Sequence, residues 1–217
     1  MGANRDDDTV SNSGSAYVYT RTAGVWTLEQ KINDLAPGAD QFGFDVDILG
    51  DTIAIGSLRD STAAVQAGSA QVWTRTAGVW TFQQKLLPDG TVAGEGFGQS
   101  VALDEDVLIV GNIFGEDDTP GNFLGKLHVY ERDAGVWTET YELLANDGAN
   151  NDQLGVSVAV DGPTIVGGTS THNSFAGAGY IFENYLDACY CSDGVCNQCQ
   201  TDVDCGFGRT CDTGTCV

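Results

Sequence analysis

The sequence predicts an all-β fold built from repeated four-stranded antiparallel units. Three observations predict it. First, one short string is written three times: Arg21-Thr-Ala-Gly-Val-Trp26, Arg75-Thr-Ala-Gly-Val-Trp80 and, with one change, Arg132-Asp-Ala-Gly-Val-Trp137. The tryptophans are 54 and 57 residues apart, a period that belongs to repeat architectures. Second, the runs around this string are short and rich in β-branched and aromatic residues. None keeps a helical apolar spacing over ten or more residues. Third, the chain of 217 residues holds 29 Gly and only 4 Pro, as many tight turns between short strands require.

The repeated string is a hairpin, and each element of a unit is placed against it. A strand precedes it as Gly14-Ser-Ala-Tyr-Val-Tyr19, Gly68-Ser-Ala-Gln-Val-Trp73 and Gly125-Lys-Leu-His-Val-Tyr130, with a fourth copy at Gly177-Ala-Gly-Tyr-Ile-Phe182. Further upstream stand Phe42-Gly-Phe-Asp-Val, Phe97-Gly-Gln-Ser-Val and Leu154-Gly-Val-Ser-Val. These are followed by Asp51-Thr-Ile-Ala-Ile-Gly56, Asp106-Val-Leu-Ile-Val-Gly111 and Pro163-Thr-Ile-Val-Gly167. The second strand, Ile53-Ala-Ile or Val107-Leu-Ile-Val110, is apolar throughout, as in a strand buried on both faces. In the last strand Trp26, Leu28 and Ile32 are expected on one face and Thr27, Glu29 and Lys31 on the other, a half-exposed outer strand. Gly24, Gly78 and Gly135 supply the positive φ of the tight turn.

Four-stranded units with a buried inner part and a one-sided outer strand are the blades of a β-propeller. The Phe-Gly and Gly-Ser, Gly-Ala or Gly-Asn strings resemble the FG-GAP repeat family, integrin-α-type propeller repeats, and its bacterial branch in particular. The resemblance covers roughly residues 1–186. It implies an extracellular interaction or adhesion module. Registration gives full units at 42–96 and 97–153 and partial units at 1–41 and 154–186. Gly2-Ala3 falls in the place of Gly56-Ser57, Gly111-Asn112 and Gly167-Gly168. That amounts to about three blades, where closed propellers have four or more. The expectation is a fragment of a larger secreted or cell-surface protein, which also accounts for the absence of a signal peptide. An open arc, or self-association that completes a ring, is the alternative.

Residues 187–217 change style. All 7 cysteines lie here: Cys189, Cys191, Cys196, Cys199, Cys205, Cys211 and Cys216. A local cluster in an acidic, Gly-rich chain reads as a small disulfide-stapled knob made in an oxidising compartment. It resembles cysteine-rich repeats appended to bacterial secreted proteins. The number is odd, so one thiol is free or pairs elsewhere. The gap Cys196-Asn-Gln-Cys199 also suits a zinc ligand pair, the weaker reading.

The chain carries 31 Asp plus Glu against 9 Lys plus Arg, a net charge of -22. This opposes nucleic acid and anionic membrane as partners. It favours solubility and attracts cations. The Asp-x-Asp-x-Asp-Gly calcium loop of integrin-type repeats is absent. The turns between first and second strands, such as Leu103-Asp-Glu-Asp106, are too short for it. Calcium therefore has a candidate elsewhere, at Asp147, Asn150 and Asp152, where two carboxylates and an amide flank Gly148. Asp6-Asp-Asp8 and Glu116-Asp-Asp118 are lesser acidic loops.

Catalytic groups are few. His128 replaces Tyr17 and Gln71 within a strand and reads as a packing or surface residue. His172 sits in a polar loop and reads as a surface residue. No nucleophile elbow, phosphate loop or dinucleotide fingerprint is present. Trp26, Trp80 and Trp137, with Trp73 in the slot of Tyr19 and Tyr130, are expected to pack against neighbouring blades. The function expected is a non-enzymatic extracellular module that binds a protein or glycan through loops at one blade face. The alternative is an accessory propeller of a secreted enzyme, or a lyase or hydrolase whose catalytic residues lie in blades absent from this chain.

Overall fold

A computed structural model describes residues 1–183 except 8–9, 37, 89–92 and 117–120, together with four two-residue strands beyond them. The fold is all-β. Two four-stranded antiparallel sheets are complete. The second sheet runs β4 (Phe42–Leu49), β5 (Thr52–Ser57), β6 (Ser69–Thr76), β7 (Val79–Leu86). The third runs β8 (Phe97–Asp104), β9 (Val107–Asn112), β10 (Lys126–Asp133), β11 (Val136–Leu143). Before them the first sheet holds β1 (Gly2–Ala3), β2 (Ser15–Thr22) and β3 (Val25–Asn33). After them the fourth sheet holds β12 (Ser157–Asp161), β13 (Thr164–Thr169) and β14 (Ala178–Glu183). These are the blades of a partial propeller. One register needs correcting. β13 aligns with β5, so Gly168-Thr169, not Gly167-Gly168, stands in the place of Gly56-Ser57.

The repeated hairpin closes with two residues: Thr22 pairs with Val25, and Thr76 with Val79. Both central residues are left-handed, Ala23 at φ 50° and Gly24 at φ 86°. This primed turn matches the twist of the strands it joins. The alanine is the unexpected partner, since a left-handed Cβ costs roughly 1–2 kcal/mol.

The outer strand departs from the simple alternation. A β-bulge falls between Val18 and Tyr19 and recurs at Val72/Trp73 and Val129/Tyr130. The extra residue is Glu29, Gln83 or Thr140. It shifts the side-chain period by one. Trp80 and Phe82 therefore lie on the face of Trp73, whereas Leu86 lies on the opposite face with Ala70 and Val72. The expected single apolar face is split, and an internal outer strand is covered on both sides. Trp73 and Trp80 join a core with Ala16, Val18, Ile32 and Phe42 of the preceding chain. Ala70, Val72 and Leu86 join a second core with Phe97, Val101, Leu103, Tyr130 and Trp137.

The two landmarks of the repeat meet at the seams between sheets. Phe42, Phe97 and Leu154 are fully buried. Their amides donate to Ser13, Ala67 and Leu124 carbonyls of the preceding unit at 3.0, 2.9 and 3.0 Å. The glycine that follows lies so close to the neighbouring backbone that a methyl on Gly98 would overlap the Ser69 carbonyl oxygen. Likewise a methyl on Gly56 would overlap the Gly98 carbonyl oxygen, which is why both landmarks are glycines.

By contact density the chain divides into two units, residues 1–160 with 166–180, and residues 161–165 with 181–217. In the second, Cys191–Ser192 pairs with Val195–Cys196, and Cys211–Asp212 with Thr215–Cys216. Cys189, Cys199 and Cys205, and the proposed disulfides and zinc pair, lie outside the described residues.

Candidate functional site

Antiparallel order fixes which loops share an end. The primed hairpins and the short turns between first and second strands lie at one end of each sheet. The connections from second to third strand, and from one sheet to the next, lie at the other. At the hairpin end the second and third sheets are tied down in the same way. Arg75 Nε donates to Asp51 at 2.6 Å and its guanidinium stacks 5.1 Å from the Trp80 ring. Arg132 repeats this with Asp106 at 2.6 Å and Trp137 at 5.0 Å. These arginines neutralise the turn acids and shield the indoles.

The opposite end is acidic and differs from unit to unit. Asp6 accepts from the Tyr17 hydroxyl at 2.6 Å and from Lys31 at 3.0 Å. Those bonds hold its carboxyl below the usual range. In the second unit Asp60 holds the same place and is buried. Burial works to raise its pKa but is outweighed by bonds from Lys85, Thr62 and Ser69, so the net shift is downward. Beside it Asp34 accepts from the Gln71 amide at 2.8 Å. Asp40 is raised by burial and by the charges of Asp60 and Asp34. Lys85 is paired with Asp60 and also acts on the Asp40 carboxylate, so the acids here outnumber the ammonium, which favours an approaching cation.

In the last unit that place is taken by His172, as the Gly177 amide bond to the His172 carbonyl shows. The same bond joins Gly68 to Asp60 and Gly14 to Asp6. His172 Nδ1 lies 2.7 Å from Asp152 Oδ2, and Nε2 lies 3.9 Å from Asp147. The Asp152 bond, with the charge of Asp147 behind it, holds the imidazole above its ordinary pKa. Tyr180 donates to Asp147 at 2.7 Å, and burial with that bond pushes its phenol up to about 12. So two of the three candidate calcium ligands converge, but on His172. The third, Asn150, turns its oxygen to the Phe123 amide at 2.9 Å. His172 is a partly buried clasp between two carboxylates, not the simple surface residue that its polar neighbours implied. Glu116 accepts from the Gly121 amide at 2.9 Å, whereas Asp8, Asp117 and Asp118 lie outside the described residues.

The tryptophans settle as expected at two positions of three. Trp80 and Trp137 are each 2% exposed, whereas Trp26 is 64% exposed. A glutamine of the preceding sheet holds each buried one. Gln30 donates to the Trp80 carbonyl and accepts from its amide, both at 2.9 Å. Gln84 does the same for Trp137 at 2.7 and 2.9 Å. Each glutamine sits four residues after a tryptophan, a spacing visible only once the bulge is known.

With the Phe-Gly seams, the glycine contacts and the recurring hairpin in view, the family is decided. An FG-GAP repeat model matches residues 26–73, 80–130 and 137–182, more than half of the chain. The chain belongs to the FG-GAP repeat family. No curated protein matches it. FG-GAP repeats build propeller-type modules and are typical of extracellular proteins. Among the described residues no helix is long and apolar enough to cross a membrane.

Proposed function

We propose that this FG-GAP chain is a non-catalytic extracellular interaction module that binds a protein or glycan through the loops opposite the hairpins. One observation carries the proposal: the two ends of the sheets are built differently. The hairpin end repeats one two-residue turn, Ala-Gly, with one Arg–Asp tie. The other end carries the longer connections 34–41, 58–68, 87–96, 113–125 and 144–156, which vary in length and in most of their sequence, although a Gly-Ala…Asp-Gln string recurs at 38–41 and 148–153. A rigid scaffold with variable loops at one end is how recognition surfaces are commonly made. The acidic charge of these loops favours a partner with cationic groups.

A non-catalytic role is supported by the one His–Asp pair at this end. His172 Nε2 faces Asp147, not a hydroxyl. The Thr171 hydroxyl beside it is bound to the Asn151 and Asp152 carbonyls at 2.6 and 2.8 Å. Among the described residues no nucleophile is therefore presented to the base.

The test compares two variants of the full chain on a glycan array and a panel of basic proteins. One changes exposed residues of the variable end, Val65 and Gln66, to Ser. The other changes Thr27 and Thr81 near the hairpins to Ser. Loss of binding in the first alone is the expected result. Binding unchanged in the first and lost in the second overturns the proposal.

A further inference from the structure

The third sheet differs from its sisters at three positions that touch one another. Where the first two sheets have Tyr17 and Gln71, it has His128. Where they have Leu28 and Phe82, it has Glu139, and where they have Lys31 and Lys85, it has Glu142. His128 Nδ1 lies 2.6 Å from Glu139 Oε1 and 3.6 Å from Glu142 Oε1. One ligand atom from each residue lies within 4.8 Å of the other two. The imidazole is 1% exposed, and its ring packs edge-on against Phe97 at 5.0 Å. The remaining oxygens are held in place: Tyr130 donates to Glu139 Oε2 at 3.1 Å and Lys126 to Glu142 Oε2 at 2.8 Å.

From this we infer that His128, Glu139 and Glu142 form a binding site for a divalent transition ion of the zinc class. An imidazole nitrogen with two carboxylate oxygens suits such an ion better than calcium, which prefers oxygen alone. Donors about 2.1 Å from a tetrahedral ion are roughly 3.4 Å apart, a spacing that small side-chain shifts of these three residues reach. Behind the ring, Asn112 is buried with its amide nitrogen 3.3 Å from His128 Nε2 and its Oδ1 without a hydrogen-bond partner. Turning that amide over lets Nε2–H donate to Oδ1 and leaves the Nδ1 lone pair to the ion, the usual outer support of a metal-bound histidine. Glu139, alone of the three, also lines a pocket of about 350 Å³ with Gln84, Lys85, Tyr130 and Thr138. The exchange of three contacting positions in one blade provides the site; the sister blades, with Gln71, Phe82 and Lys85 there, cannot bind an ion this way.

The full chain, with its cysteines alkylated so that they take no part, is titrated with zinc by calorimetry and with cobalt by visible absorption. The expected result is one saturable zinc site and a cobalt spectrum without thiolate charge transfer. His128→Gln, which installs the residue of the second sheet, and Glu139→Gln should each weaken zinc by more than about tenfold, the least that losing even an outer-shell partner costs. Circular dichroism verifies that both variants fold, and Glu142→Gln, at a more exposed position, serves as the third. Absence of saturable zinc and cobalt binding by the native chain overturns the inference. So does zinc affinity unchanged in folded His128→Gln and Glu139→Gln.

Discussion

The seam between the second and third sheets and the seam between the first and second are built from the same repeat, yet they bury different amounts of it. At the inner seam Val101 and Leu103 are 5% and 7% exposed, and Trp137 is 2% exposed. At the outer one Ile48, in the place of Leu103, is 52% exposed, and Trp26, on the face of the first sheet turned away from the second, meets no other sheet among the described residues and is 64% exposed. The cause is what stands before them. The second sheet offers β4 and β5 to the third, whereas the first sheet offers the second only Gly2–Ala3 ahead of β2. A groove of about 360 Å³ results, lined by Val18, Tyr19, Trp26, Val46, Ile48 and Ile53 among others. A blade residue is therefore not intrinsically core or surface. Its neighbour blade decides, as nearest-neighbour coupling in repeat proteins requires.

The largest expected effect tests this directly. Trp137→Ala should cost about 3–5 kcal/mol in urea unfolding, as for a large buried side chain. Trp26→Ala, at the same repeat position, should change stability by less than about 0.5 kcal/mol. Equal losses would break the comparison.

Next come the glycines. Gly98→Ala combines a left-handed φ of 83° with overlap against the Ser69 carbonyl. The expected cost is roughly 2–5 kcal/mol, from conformational and packing terms together. Gly78→Ala has a similar φ, 80°, but nothing within 4 Å of the new methyl. It should cost only about 1–2 kcal/mol. Thermal melts of the two variants, with matching shifts as the contrary outcome, separate seam from turn.

The glutamine ties sharpen the comparison from the other side, because they are present at both seams. Gln84→Ala and Gln30→Ala each leave one backbone amide and one carbonyl of a tryptophan without their partner. Each should cost about 1–3 kcal/mol, and the two should match. A negligible loss for Gln30→Ala would mean that the outer seam is wetter than the described contacts imply.

The smallest effect concerns pH and has opposite signs at two equivalent places. His172 has its pKa raised in the folded chain, so its clasp stabilises fully below the ordinary histidine pKa and is lost as pH rises through the raised value. Asp60 is lowered, so its contribution is present above the ordinary aspartate pKa and lost as pH falls through the lowered value. The melting temperature of His172→Gln should lie below the native one near pH 6 and approach it above pH 8. A constant difference across that range would show that His172 acts by packing alone.

Much of the fold was legible in the residues. The Ala-Gly-Val-Trp period set the number and order of sheets, and the positive φ of Gly24, Gly78 and Gly135 followed from the turn they close. The site was only partly legible. Asp147 and Asp152 were found as neighbours, but not the histidine that they share. His172 occupies the Asp60 position because Thr169, not Gly168, stands in the place of Ser57, one residue on from the alignment that the Gly-Gly pair suggests. His128 with Glu139 and Glu142 was hidden by the bulge at Thr140, which brings positions 139 and 142 to one face although their spacing is odd.

By itself the sequence determined the all-β class, the blade units and the family landmarks, because strand period, turn chemistry and glycine placement are local properties. Only the tertiary structure decided which tryptophan is covered, which face each outer strand presents and which acids meet a histidine. Those depend on a bulge that resets the period and on contacts between blades fifty or more residues apart, such as Gln30 with Trp80, and no local pattern encodes either.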